Sequence, residues 1–290
     1  MMFGQADDGR RRTMDREARE AIQKFKGTVR LYARNLDTGE SYGVGEEETV
    51  RTASTIKLPI MVAVYAAVAR GEAQWDELLT LRPEDKVSGS GVLREFSDGL
   101  KLPLRDVLHM MIVVSDNTAT NMMIERFTAD AVNAEMDKLG LARTRSMRKV
   151  LGDGARLAAP SGFSAAGKLP GNKRFGLGSS SPKEMVTLLE KLERGMVVSP
   201  AASREMIAVM QRQQFKEGIG RHLPDGWVAS KSGALDALRS DVGLVYAPGG
   251  RVALAITVDD MPSVDYSPDN VGNLLISTLT KILLRGLGAM

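Results

Sequence analysis

Residues 54–69 read Ser54-Thr55-Ile56-Lys57-Leu58-Pro59-Ile60-Met61-Val62-Ala63-Val64-Tyr65-Ala66-Ala67-Val68-Ala69, and no charge follows Lys57 in this stretch. A helix that is apolar on every face is buried on every face, so this segment is read as the central helix of the chain, with its first residues held rigidly. Ser54 and Lys57 are three apart, a spacing that puts two side chains on one helical face. A hydroxyl is a poor nucleophile unless a base stands beside it, and an amine within reach supplies one. Backbone N–H groups at a helix start also favour negative charge developing near Ser54.

The pattern Ser-x-x-Lys is short and occurs three times. The copy Ser146-Met147-Arg148-Lys149 lies in a basic stretch with no apolar run behind it. The copy at Ser180-Ser181-Pro182-Lys183 reads as a helix start, with Ser181 as N-cap, Pro182 in the first helical position and Glu184 three residues after the cap. Only Ser54 heads a buried helix.

Composition narrows the chemistry. The 290 residues carry a formal net charge of +3, with a sequence pI near 9.1, and hold enough apolar residues for one large domain or two lobes. The charge is too slight for a nucleic-acid footprint, and the 5% aromatic content offers few stacking platforms for single strands. There is no cysteine, which removes disulfides, thiolate metal sites and a thiol nucleophile. With only His109 and His222, a histidine metal site is not expected; neither metal nor cofactor is called for. No apolar stretch reaches the ~20 residues of a membrane span, and residues 1–8 lack the basic and apolar regions of a secretory signal.

Along the chain, 14–26 reads as an amphipathic helix after a solvated, frayed arm over 1–13 that contains Arg10-Arg11-Arg12. Strands are expected over 28–35 and 41–44, joined by a turn at Asp37-Thr38-Gly39-Glu40. Helices are expected over 104–114, 118–127 and 131–139, the first two flanking Ser115-Asp116-Asn117. In the 104–114 helix His109 is read as a packed residue, and Met110, Met111, Met122 and Met123 as core filling. Residues 142–181 show little periodicity and are expected to be a long loop. Helices resume over 181–195 and 200–211. Three strands, 228–233, 240–247 and 251–258, come last with a tight turn at Pro248-Gly249-Gly250, and an amphipathic helix over 271–287 closes the chain. Strands at both ends with helices between give an α+β fold: one antiparallel five-stranded sheet from 14–51 and 212–290, with an all-α lobe inserted over 52–211.

Three polar clusters stand at element boundaries: Ser54-x-x-Lys57, Ser115-Asp116-Asn117 and Lys231-Ser232-Gly233. In this order the chain resembles the penicillin-recognising serine enzymes, most nearly the class A β-lactamases. The likeness runs from about residue 28 to the C-terminus and includes Ser179-Ser180-Ser181-Pro182, similar to the Thr-Thr-Thr-Pro-like entry of a late family helix. It implies a β-lactamase/transpeptidase-like fold, a small-molecule substrate (a β-lactam or a D-Ala-D-Ala-like peptide), a monomer, and a periplasmic or secreted location. By this resemblance Ser54 forms an acyl-enzyme, with Lys57 accepting the serine proton. Lys57 is expected to have its pKa lowered by partial desolvation and by the nearby cation Lys231. Ser115 relays a proton to the leaving nitrogen, and Lys231 holds that network. Asn117 binds the substrate's side-chain amide, while Asp116 caps the following helix. Ala234 and Ser54 supply the oxyanion N–H groups. Gly233 lets the substrate align along the strand edge, and Ser232 and Arg239 bind a carboxylate.

One departure matters. Class A enzymes deacylate with a loop glutamate, yet no glutamate lies between Glu135 and Glu184. Arg148-Lys149-Val150-Leu151 stands roughly where an Arg-x-Glu-x-x-Leu-Asn-like stretch belongs. Asp153 is the sole acid within 142–181, a stretch with eight lysines and arginines, and is the remaining candidate for a deacylating base. Three readings stay open: a β-lactam hydrolase with slow or atypical deacylation, a D,D-peptidase or esterase on the same scaffold, and a sensor whose output is a stable acyl-enzyme or bound ligand.

Overall fold

Period-two alternation over residues 28–35 settles into a strand whose every second residue, from Val29 to Asn35, is buried. The computed structural model describes residues 2–152 and 160–290. In chain order the elements are α1 (Met2–Gln23), β1 (Thr28–Asn35), β2 (Ser41–Val44), β3 (Val50–Arg51), α2 (Lys57–Ala69), β4 (Leu78–Thr80), β5 (Lys101–Pro103), α3 (Leu104–Val113), α4 (Asn117–Phe127) and α5 (Ala129–Lys138). There follow β6 (Arg145–Ser146), α6 (Ala165–Lys168), β7 (Gly178–Ser180), α7 (Pro182–Glu193), α8 (Pro200–Gln211), β8 (Val228–Leu235), β9 (Leu238–Ala247), β10 (Gly250–Asp259) and α9 (Val271–Gly286). The residues divide into two compact units, one of Met1–Glu48, Ser181–Glu190 and Lys216–Met290, the other of Thr49–Ser180 and Lys191–Phe215. Compared with the boundaries read from sequence, the sheet unit also takes Ser181–Glu190.

The sheet unit has five antiparallel strands in the order β2-β1-β10-β9-β8. Ala247 pairs with Gly250, so Pro248-Gly249 forms the two-residue turn between β9 and β10. Leu31, Val245, Leu254 and Ile256 from the strands pack with Met14 and Ala18 of α1 and with Leu279, Leu283 and Leu284 of α9. The two helices close up because residue 286 is glycine: a Cβ there would collide with the Met14 thioether. At the start of α7, Ser181 caps as read from sequence, its Oγ accepting from the Glu184 N–H at 3.2 Å.

The N-terminal arm expected over 1–13 is a correction, since α1 begins at Met2. The charge run that reads as solvated arm is tied down: Arg10 pairs with Glu40, and the Thr13 hydroxyl donates to the Gly9 carbonyl. Arg19 and Asp15 form an i,i+4 pair at 2.8 Å.

The second unit is built on α2, buried from Lys57 through Ala67. The loop expected over 142–181 is also corrected. It holds β6 and β7 in a three-stranded sheet ordered β3-β7-β6, the short helix α6 and a 3-10 turn over Pro170–Phe175. Its elements are too short to print a period, and side chains hold them instead. Asn133 accepts from the Ser146 N–H at 2.7 Å and donates to its carbonyl at 3.0 Å, while Ser164 caps α6.

Candidate active site

In the helical unit, Ser54 lies in a 3-10 turn over Ala53–Ile56 that runs into α2. Lys57, three residues after Ser54, is the first residue of α2. Ala53, just before the nucleophile candidate, has φ 47°, and Ser115 has φ 53°. Left-handed backbone at a non-glycine residue costs on the order of 1–3 kcal/mol and persists only where surroundings impose it.

Lys57 is fully buried. Its Nζ donates to the Ser115 carbonyl at 2.7 Å, to Ser115 Oγ at 3.1 Å and to Asn117 Oδ1 at 2.9 Å. The turn between α3 and α4 thus offers three neutral oxygens to one amine. Asp116 takes the capping role read for it: Oδ1 accepts from the Ala119 N–H at 2.8 Å.

Sequence reading missed what holds that turn. Residues Ser88–Leu93 fold onto it: Asn117 Nδ2 donates to the Ser88 carbonyl, the Asn117 N–H donates to the Ser90 carbonyl, and Asp116 Oδ2 accepts from the N–H groups of Val92 and Leu93. Gly89 and Gly91, both at positive φ, permit the approach, since a Cβ on either would strike Asn117 or Asp116. The alternation Ser88-Gly89-Ser90-Gly91 was the available signal.

Asn121, one helical turn beyond Asn117, clamps the loop residue Val150 at both ends. Its Oδ1 accepts from the Val150 N–H at 2.7 Å, and its Nδ2 donates to the Val150 carbonyl at 3.2 Å. Lys149 is buried against Asp85 and pairs with Glu125 at 2.7 Å, which gives the second Ser-x-x-Lys copy a structural use. Burial pushes the Asp85 carboxyl up, with Lys149 opposing. Asp153, the candidate deacylating base, lies outside the described residues.

In the sheet unit, β8 is an edge strand and carries Lys231, Ser232, Gly233 and Ala234 in sequence. Its outer side has no strand partner in this sheet, which leaves backbone groups for an extended ligand. Lys231 is fully buried with Nζ on the Ser232 carbonyl at 2.7 Å. Burial brings its pKa down to about 7, against the pull of the Asp241 carboxylate. Arg239 departs from the expected role. Its guanidinium donates to the carbonyls of Leu235 and Leu238, each at 2.6 Å, and to that of Asp265, and it stacks 4.8 Å over the Tyr266 ring. That fork braces the β8–β9 turn rather than standing ready for a carboxylate. His109 is half-buried, its pKa lowered by burial and by Arg212 and Arg105, and takes no part in these clusters. Met111, Met122 and Met123 are core residues.

The strand order and the helical unit define a β-lactamase/transpeptidase-like fold. A model of the beta-lactamase enzyme family matches residues 13–287, and the chain belongs to that family. It is similar to the crystal structure of a β-lactamase from Sphaerobacter thermophilus DSM 20745, at 30% identity and TM-score 0.81, covering 96% of this chain and 98% of that one. It is also similar to PBP-A, at 28% identity and TM-score 0.78, covering 96% of each chain. A variant of PBP-A, solved as an acyl-enzyme complex with penicillin G, is 27% identical with TM-score 0.79 over 96% of this chain and 97% of that one. Among curated proteins, the β-lactamase regulatory protein BlaB of Streptomyces cacaoi is 26% identical over 285 residues, covering 87% of this chain and 91% of BlaB. No helix among the described residues is long and apolar enough to cross a membrane.

Proposed function

We propose that Ser54 is the nucleophile of an acyl-transfer site for β-lactams, and that its acyl-enzyme turns over slowly. The observation that carries this reading is the grip of Ser115 and Asn117 on the buried Lys57 amine. As Ser54 Oγ bonds to the lactam carbonyl carbon, its proton passes to the Lys57 amine in its unprotonated form, in which Nζ keeps two N–H donors and so at most two of the three hydrogen bonds. The carbon–nitrogen bond breaks, the leaving nitrogen takes the Ser115 hydroxyl proton, and Ser115 is reprotonated from Lys57. A proton path through a 3.1 Å hydrogen bond meets the geometry that general acid–base catalysis needs. By the family resemblance the N–H groups of Ser54 and Ala234 stabilise the oxyanion. The same resemblance gives Lys231, Asn117, Ser232 and Gly233 their expected roles toward the substrate.

Slow deacylation follows from the clamp on the loop. The residue that Asn121 holds is Val150, whose side chain cannot activate water. The names of two relatives keep a second output in view: PBP-A, and a BlaB described as regulatory. A D,D-peptidase or esterase on this scaffold would release D-alanine or an alcohol, whereas a sensor would retain one ligand without releasing product.

Intact-protein mass spectrometry after mixing with benzylpenicillin, sampled from seconds to hours, tests the reading. The expected result is an adduct of one drug mass that outlasts the mixing by hours and is absent from Ser54→Ala. Labelling of Ser54→Ala would remove the assignment. An adduct that vanishes within seconds while penicilloate accumulates would overturn slow turnover.

A further inference from the structure

The two hydrogen bonds by which Asn121 holds residue 150 reach only its backbone N–H and carbonyl. Every residue but proline offers the same pair, so the clamp by itself would hold Lys149 or Leu151 as readily as Val150. The register of the loop on α4 has to be set by a side chain, and the one next to Val150 is built to do so.

Lys149 is 7% exposed and Asp85 2%. Lys149 Nζ stands 2.7 Å from Glu125 Oε2 and 3.4 Å from Asp85 Oδ1. The stem is fitted as closely as the head. Gly162, at φ 65°, lies against it, and a Cβ there would be 2.8 Å from Lys149 Cγ. The Lys149 N–H donates to the Ser161 carbonyl at 3.0 Å. A slip of one residue would bring Val150 or Arg148 to the two carboxylates. Valine would leave both without their cation, and an uncompensated buried charge is costly. Arg148 would have to give up the Lys149 carbonyl, to which its guanidinium donates at 2.9 Å.

This pairing is joined to the Ser115-Asp116-Asn117 turn along one face of α4. Asn117, Asn121 and Glu125 follow one another at intervals of four, the spacing of neighbours on a helical face. Asn117 Oδ1 accepts from Lys57 Nζ at 2.9 Å, Asn121 holds Val150, and Glu125 takes Lys149. Asp85 is gripped twice, at its carbonyl by Asn121 Nδ2 at 3.2 Å and at its carboxylate by Lys149.

We propose that Lys149 is a positioning residue whose pairing with Asp85 and Glu125 sets which loop residue Asn121 holds, and with it the residue that faces the acyl-enzyme. The effect on turnover rests on the acyl-transfer reading, whereas the register rests on the contacts alone.

Amide hydrogen exchange resolved by residue in NMR reads the register, and decay of the benzylpenicillin adduct reads its consequence. In Lys149→Met the Val150 N–H is expected to exchange about tenfold faster, while the amides of β9 and β10 keep their rates. Val150→Glu places a carboxylate in the clamp, and its adduct is expected to decay about tenfold faster than that of wild type. Adding Lys149→Met should remove that gain, because the glutamate is no longer held in place. Unchanged Val150 exchange in Lys149→Met overturns the proposal, as does a double variant that keeps the full gain. A rise at every slow amide alike also overturns it and leaves Lys149 a contributor to stability only. If Val150→Glu shows no gain, the exchange measurement decides alone. Should Lys149→Met not fold, Glu125→Gln carries the test at an exposed side chain, with Val150 exchange expected to rise about threefold. No rise there counts against the proposal. A wild type that forms no adduct would sink the acyl-transfer reading alone, and Val150 exchange still decides the role of Lys149.

Discussion

Two of the buried lysines, Lys57 and Lys231, are housed differently. Lys57 is held by three neutral oxygens of a single turn, and that turn is braced by Asp116 and the Ser88–Leu93 loop. Lys231 has a backbone carbonyl on its Nζ and a buried carboxylate, Asp241, on the neighbouring strand. The first arrangement fixes where an amine points. The second biases how much charge an amine carries. Neutral acceptors pull less strongly on an amine's charge than a counter-ion does.

Breaking the first arrangement should have the largest effect. Lys57→Met keeps the bulk, removes the proton acceptor and strands the oxygens of Ser115 and Asn117. The benzylpenicillin acylation rate is expected to fall about a thousandfold, or ~4 kcal/mol, as read by time-resolved mass spectrometry. A rate within tenfold of wild type would show that Lys57 is not the base.

Loosening the brace is next in size. Asp116→Ala removes three hydrogen bonds to a buried carboxylate, those of Val92, Leu93 and Ala119. Stability measured by denaturant titration should drop by about 3 kcal/mol. A drop below about 1 kcal/mol would mean that the Ser88–Leu93 loop holds the turn without it.

The smallest effect comes from changing the loop residue that Asn121 clamps beside the first arrangement's helix. Val150→Glu puts a carboxylate on the residue clamped by Asn121, and the penicillin adduct should then decay about tenfold faster, ~1.4 kcal/mol. An unchanged lifetime would show that the clamp does not present residue 150 to the ester.

The contrast also marks what was legible in the sequence. Strands read over 228–233, 240–247 and 251–258 and the helix over 200–211 were legible, to within two residues at each end, because apolar residues recur along them, and Ser181 and Asp116 because capping leaves a local signature. The three motifs around Ser54, Ser115 and Lys231 could be quoted directly. The 142–181 segment was not readable, because Asn121, Asn133 and Ser164 fix it from outside any repeat. Asp241 was hidden for a related reason. A lone acid in Leu238-Arg239-Ser240-Asp241-Val242 looks solvent-facing until strand register shows that its side of β9 is core. Arg239 was misjudged because carbonyl acceptors leave no mark in a sequence.

The seam between α1 and α9 links the fold to oxidative ageing. The chain has no cysteine and 16 methionines, so thioethers are its whole stock of oxidisable sulfur. The Met14 thioether is packed against Gly286 so closely that no atom can be added on the glycine side, and the residue is 3% exposed. A sulfoxide oxygen placed on the glycine side would push the two helices apart, so oxidation of Met14 would loosen the N-terminal helix from the sheet.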